Sequence, residues 1–258
     1  MQAANYLVLL LQVFFFFPVF CRKGSLCIHR MYGRNANRII TLANGLDESR
    51  KRNLTLSLDS KWSSWYTAWF DVHENIETNF KGRCTVTVHA QILYTNRQSD
   101  EHNPELLELK PKKKYWRRAS HEFNKNNKTS VTVHRRWLEG GCETRAKMRE
   151  YFCRTSTDFS KVCSWTQSDI EDQLRINRLQ TDDFQQDSMI LLFTDNQMPK
   201  YDQTFKNPIK LKFQVEMCMM ALSYAHFGSP MSSIDYVVAH WRTGFQFPTE
   251  CFQQIHFQ

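Results

Sequence analysis

The chain has 258 residues, 41% of them hydrophobic and 14% aromatic, and a formal net charge of +8 at pH 7. An apolar share of that size excludes wholesale disorder, and the length suffices to bury a core as one large domain or two small ones. The excess of Lys and Arg is concentrated locally, so it points to a surface patch and not to a polybasic chain.

Residues 7–17 are apolar apart from Gln12, and Pro18-Val19-Phe20-Cys21 and then Arg22-Lys23 follow. This is the layout of a secretory signal peptide over residues 1–21, with Val19 and Cys21 flanking the cleavage point. At roughly 1.5 Å per residue, residues 7–21 reach about 22 Å as a helix, short of the roughly 30 Å of bilayer hydrocarbon. The lack of Lys and Arg ahead of the run, and Arg22 and Lys23 behind it, favour the rival reading of an uncleaved membrane anchor. The expected compartment is secreted or extracellular, where cysteines oxidise.

Seven cysteines follow residue 21, and all are disulfide candidates: Cys27, Cys84, Cys142, Cys153, Cys163, Cys218 and Cys251. An odd number leaves one thiol for a disulfide-linked homodimer. The cysteines show no C-x-x-C and no neighbouring His pair, so no metal is expected. Asn53-Leu54-Thr55 and Asn127-Lys128-Thr129 are glycosylation sequons, which places glycans at Asn53 and Asn127.

After the leader, residues 22–52 read as a basic N-terminal arm whose one apolar cluster is Ile39-Ile40-Thr41-Leu42. Residues 53–59 alternate strictly, as a half-buried strand does, and the aromatic stretch 65–72 reads as its partner strand. Trp62, Trp65 and Trp69 are core or interface aromatics. Residues 84–94 alternate again, with Val86, Val88, Ala90 and Ile92 inward and His89 outward. Residues 96–129 are polar and aperiodic, a long basic surface loop. It gathers Lys110, Lys112, Lys113, Lys114, Arg117 and Arg118 around Tyr115 and Trp116, and Arg135, Arg136 and Trp137 form a second knot. Outside the cell, cations with interleaved aromatics suit a sulfated glycan, anionic lipid or acidic protein, not nucleic acid.

Residues 130–134 resume strand chemistry and put His134 outward. A short helix over 146–152 would sit between Cys142 and Cys153. Ser168-Asp169-Ile170-Glu171 matches a capping box and starts a helix over 169–179. The apolar run 188–194 suits a strand buried on both faces. Residues 209–217 are apolar at odd and polar at even positions, the strongest strand pattern of the chain, and 236–239 is a last strand. Together these elements predict a mainly β fold: a disulfide-stabilised β-sandwich-like domain over 53–258 with one or two short helices.

The motifs of nucleophile elbows, zinc proteases, phosphate loops and dinucleotide sites are absent. The function expected from these features is a secreted, disulfide-bonded glycoprotein without catalysis or cofactor. It would be an extracellular binding protein, a ligand or soluble modulator, holding an extracellular protein or sulfated glycan through residues 110–118 with Arg135 and Arg136. Two other classes remain open at this point. One is a small secreted hydrolase using His89 or His134 as base. The other is a membrane-tethered adhesion or structural protein that keeps its N-terminal segment.

Overall fold

The computed structural model describes residues 24–95, 103–125, 130–135, 166–178, 189–194, 210–228 and 232–243. Two parallel sheets organise them. In the first, β1 (Ser25–His29) lies between β2 (Thr55–Ser57) and β4 (Val86–His89), and β3 (Ile76–Glu77) extends the sheet beyond β2. Parallel neighbours require crossover connections, and helices α1 (Asn35–Lys51) and α2 (Ser60–Trp69) supply them between β1, β2 and β3. The second sheet places β5 (Ser130–Arg135) between β6 (Met189–Thr194) and β7 (Ala225–Phe227), again all parallel.

This architecture overturns the expected mainly β sandwich. The stretch 22–52, expected as a basic arm, supplies from residue 25 the central strand β1 and the helix α1, which holds Ile39, Ile40 and Leu42 at 0% exposure. The expected strand at 65–72 falls largely in α2. Its apolar residues Trp62, Tyr66, Trp69 and Phe70 follow helical spacing, and all four are buried, the core role assigned to Trp62 and Trp69. The Asp59 side chain caps α2 by accepting from the Trp62 amide at 2.8 Å. Residues 84–94 divide into β4 and a short helix, α3 (Ala90–Thr95).

The expected long loop carries two helices, α4 (Pro104–Glu108) and α5 (Lys113–Asn124). The strand expected at 209–217 is instead α7 (Phe213–Leu222), and the one at 236–239 lies within α8 (Ser233–Thr243). The alternation misleads because α7 is buried on most sides, with Val215 and every residue from Met217 to Ala221 at 5% exposure or less. A helix enclosed on all sides loses the 3.6-residue polarity period that would reveal it. The helix α6 (Gln167–Arg178) forms where a capping box was expected, but Thr166 and Asp169 make the reciprocal bonds, two residues ahead of Ser168 and Glu171. The helix expected at 146–152 lies outside the described residues.

Strand β6 shows how the second sheet is covered. Ile190 and Leu192 pack with Val131, Val133 and Ile170 of α6 on one face, while Leu191 and Phe193 join the main core on the other. Both faces are therefore buried, as a parallel sheet between helices requires. The helix α8 ties the halves together by packing on α1, α4 and α7. Its Trp241 is at 0% exposure, and the indole N–H donates to the Leu106 carbonyl at 3.1 Å. Cys27 on β1 and Cys84 just ahead of β4 form a disulfide, which is compatible with a protein of the secretory pathway. Among the described residues no helix is long and apolar enough to cross a membrane, and residues 1–21 lie outside them.

Candidate functional site

A cleft of about 350 Å³ opens between the C-terminal ends of β5 and β6 and the start of α1, the helix that follows β1. From the first half it is lined by residues 34–37, at the start of α1. From the second half come His134 at the end of β5, Phe193 and Thr194 at the end of β6, and Ser233 and Ile234 at the start of α8. Lys210, Leu211, Phe213, Glu216 and Met220 close it from the side of α7. Open parallel sheets bind ligands at this edge, because the loops that leave the strand ends diverge there and the helix N-termini point toward it.

Local sequence explains how the rim is held. Gly33 sits at φ +63°, and a Cβ there would collide with the Asn37 side chain, so the turn from β1 into α1 needs glycine. The Gly33 carbonyl accepts from Arg38 Nε at 3.2 Å, which fixes the turn against the helix that follows. Arg34 and Lys210 bring two cations to the cleft, and the first amides of α1 and α8 add the positive end of each helix dipole. Among the described residues, Glu216 is the one carboxylate in the lining. Burial raises its pKa, outweighing the bond at 2.7 Å in which the Leu211 amide donates to Oε1.

Behind His134 lies a buried polar cluster contributed by β5, β7 and α8. His134 Nδ1 is 2.7 Å from Asp235 Oδ2, and His226 Nε2 is 2.9 Å from Asp235 Oδ1. Thr132 Oγ1 stands 2.9 Å from His226 Nδ1 and 2.7 Å from Ser223 Oγ. Burial alone would raise the Asp235 carboxyl, but the charge and hydrogen bonds of the two imidazoles outweigh it and hold the group well below the usual carboxylate range. Burial pushes the His226 imidazole down, against the raising effect of Asp235. Arg242, also at 0% exposure, donates through Nη1 to the Met220 carbonyl at 3.1 Å and the Ser223 carbonyl at 2.8 Å, capping the C-terminal end of α7 with a cation. Burial pushes its pKa down to about 10.

The residues singled out from sequence fall elsewhere. Lys110, Lys113, Lys114, Arg117 and Arg118 are exposed, on α5 or just ahead of it, while Lys112 is half-buried as the helix cap. Tyr115 and Trp116 are turned inward: the Tyr115 hydroxyl donates to the Ala68 carbonyl at 2.7 Å and the Trp116 indole to the Pro111 carbonyl at 2.8 Å. None of these residues lines the cleft. Arg135 ends β5, one residue beyond His134, and Arg136 lies outside the described residues. Asn53 is exposed at φ +53° in the turn after α1, and Asn127 lies outside the described residues.

Of the cysteine candidates, Cys27 and Cys84 pair with each other, and Cys142, Cys153, Cys163 and Cys251 lie outside the described residues. Cys218 is a buried free thiol whose pKa burial pushes up, so it packs as an apolar residue of α7 and is not placed to bridge two chains. His134, expected outward, is at 4% exposure. His89 stays half-exposed beside His29, their ring centroids 6.0 Å apart. Among the described residues no group of three or more His, Cys, Asp or Glu is placed to hold a metal ion. Sequence reasoning missed Arg34, Lys210, Glu216 and Asp235. The Gly33-Arg34 turn ahead of α1 and the run Ser232-Ser233-Ile234-Asp235 ahead of α8 were the available signals, each a helix start.

No protein-family model matches the chain, and no curated protein matches it by sequence. Solved structures do match. POFUT1 in complex with GDP aligns with a TM-score of 0.54 at 12% identity, over 86% of this chain and 95% of that one. POFUT1 in complex with GDP-fucose aligns with a TM-score of 0.56 at 10% identity, over 85% and 94%. NodZ alpha-1,6-fucosyltransferase with GDP reaches a TM-score of 0.48 at 9% identity, over 84% and 92%. The chain thus has the GT-B-like α/β fold of POFUT1, with two parallel sheets about a cleft. That fold overturns the reading as a non-catalytic extracellular binding protein whose partner is an extracellular protein or sulfated glycan.

Proposed function

We propose that the chain is a glycosyltransferase that takes its donor as a nucleoside-diphosphate sugar of the GDP-fucose class and passes the sugar to a hydroxyl of a glycan or protein. The observation that carries this reading is the cleft itself. It lies between the C-terminal ends of β5 and β6 and the helix that follows β1, and the starts of α1 and α8 together with Arg34 and Lys210 face one space of about 350 Å³. Its fold is shared with a protein crystallised with GDP and with GDP-fucose.

Glycosyl transfer from such a donor builds negative charge on the departing diphosphate. Cations and helix amides placed at the diphosphate stabilise that charge more in the transition state than in the ground state. A volume of this order falls within the roughly 300–1,000 Å³ typical of small-molecule sites. The signal-peptide pattern of residues 1–21 and the Cys27–Cys84 disulfide support a place in the secretory pathway. The need for a nucleotide-sugar pool favours its lumen over the extracellular space.

Calorimetric titration of the full chain with GDP, GDP-fucose and UDP tests the reading. GDP and GDP-fucose are expected to bind, with UDP weaker. Replacing both Arg34 and Lys210 by Ala is expected to weaken GDP about tenfold, the equivalent of about 1.4 kcal/mol. No detectable binding of either guanine nucleotide at millimolar concentration would overturn it.

A further inference from the structure

The turn that ends α1 presents an asparagine whose side chain the fold does not use. The Leu54 amide donates to the Ser49 carbonyl at 2.8 Å and the Asn53 amide to the Arg50 carbonyl at 3.0 Å. These are the two bonds of a Schellman motif, which closes a helix by satisfying carbonyls left over in its last turn. The motif puts the residue after the cap in the left-handed region, and Asn53 takes that place at φ +53° behind the cap residue Arg52. Glycine is the commonest residue there and asparagine the next choice, because a short polar side chain tolerates positive φ.

The bonds that hold Asn53 are made by its backbone. Among the described residues its side-chain amide takes part in no hydrogen bond, and the residue is exposed, as are Lys51 and Arg52 beside it. Leu54 turns the other way and packs on the main core. Thr55 then begins β2, where its amide donates to the Gly24 carbonyl at 2.9 Å. Asn53-Leu54-Thr55 is the acceptor sequence for an oligosaccharide in the secretory lumen, and the fold presents its asparagine in the surface turn that such an acceptor needs.

We infer that Asn53 is a site of N-linked glycosylation, at the pole of the first half remote from the cleft. In the step, an N–H bond of the Asn53 side-chain amide breaks, and its nitrogen forms a bond to the anomeric carbon of an oligosaccharide carried on a lipid diphosphate. The bond from that carbon to the diphosphate oxygen breaks. Its electron pair leaves with the lipid diphosphate, and the amide proton is released. No backbone bond of the turn is lost in the exchange, so the folded chain holds the modified residue without rearrangement.

The 17 residues of α1 span roughly 25 Å at about 1.5 Å per residue. The first of them line the cleft and Asn53 follows the last, so a glycan there leaves the cleft open. A bulky, hydrated group at this pole also keeps it in solvent and excludes it as a docking face for a membrane or a second protein. Modification requires only passage through the secretory lumen, to which the leader pattern of residues 1–21 and the Cys27–Cys84 disulfide point, and it is independent of what the cleft binds.

Peptide mapping of the full chain recovered from secreting eukaryotic cells tests the site. The peptide that spans Asn53 is expected to be absent at its unmodified mass. It should reappear, with Asn53 converted to Asp and labelled with heavy oxygen, after amidase release of the glycan in labelled water. Thr55→Ala is expected to lose one glycan by electrophoretic mobility and Thr55→Ser to keep it. Asn53→Gly, which suits the positive φ of the turn, should lose the glycan without losing the turn. If Thr55→Ala does not fold, judged by its melting transition, the wild-type map and Asn53→Gly still decide.

An unmodified residue 53 in wild-type chain that carries the Cys27–Cys84 disulfide would overturn the inference, as would a glycan confined to Asn127, the sequon outside the described residues. A chain recovered with both cysteines reduced and Asn53 bare would overturn it together with the compartment.

Discussion

The two sheets are built alike and filled differently. Around the first, the buried polar side chains are the hydroxyls of Ser25, Thr41, Ser49, Ser57 and Ser63, set among Leu26, Ile28, Ile39, Ile40, Leu42, Leu56, Trp62 and Tyr66, and a disulfide ties β1 to the segment entering β4. Around the second, Thr132, His134, His226, Asp235 and Arg242 are buried at 4% exposure or less on the side toward α7 and α8. Apolar burial stabilises without specifying chemistry, at about 1.5–3 kcal/mol for a large side chain. Buried ionisable groups cost stability unless every one is paired, so a half that buries two imidazoles, a carboxylate and a guanidinium is shaped by something other than stability.

The largest test of that contrast is Trp62→Ala. Truncating a fully buried indole whose N–H donates to the Arg30 carbonyl at 3.2 Å is expected to cost about 3–5 kcal/mol, read from urea denaturation. Because no titratable partner is lost, the cost should be the same at pH 7.5 and pH 5.5.

A medium effect should appear only in the second half, as a dependence of stability on acid. The His226 pKa is lowered in the folded state, so below the ordinary histidine range near 6.5 the unfolded chain takes up a proton that the folded chain refuses. Its contribution is thus complete above about pH 6.5 and is lost as pH falls toward the folded value, by at most about 1.4 kcal/mol per pH unit. Asp235, also lowered, adds to the loss only below the usual carboxylate range. Glu216, whose pKa is raised, works the other way: its contribution is present at low pH and is lost as pH rises through the raised value, so it offsets part of the slope. Denaturation at pH 7.5, 6.5 and 5.5 should show a fall that His226→Gln flattens. An unchanged slope in that variant would make the two sheets alike in this respect.

The smallest effect is expected on α5. Charge reversal of Lys113, Lys114 and Arg117, all exposed, should change stability by less than about 0.5 kcal/mol per site. It should leave GDP affinity within about twofold at physiological salt, where screening acts over about 8 Å.

The same contrast marks what could be read from the residues alone. Strands β2, β5 and β6 were visible because alternation, or an unbroken β-branched and apolar run, is local. The helix α6 was visible because its start signal lies within four residues, even though the bonding pair is displaced to Thr166 and Asp169. Helices α7 and α8 were not, since apolar residues on most sides erase the period, and α2 was missed although its buried residues keep helical spacing, because an aromatic-rich stretch also suits a strand. The site was the least legible part. His134 and Asp235 stand 101 residues apart, and although His134 stood out as a candidate base, Asp235 carries no signal until the fold brings them together. His134 was assigned to solvent on the assumption that one face of its strand is wet. In a parallel sheet covered on both faces, that assumption fails.

The return of α8 onto α1 and α4 sets a timetable for biosynthesis. The strands of the first sheet have all emerged once β4 is made, and Cys27 can meet Cys84 from then on. The helix that covers the outer side of α1 comes roughly 140 residues later, which at about 5–20 residues per second is roughly 7–30 s. Through that interval a nascent chain carries an open apolar seam around Leu106, and the arrival of Trp241 closes it.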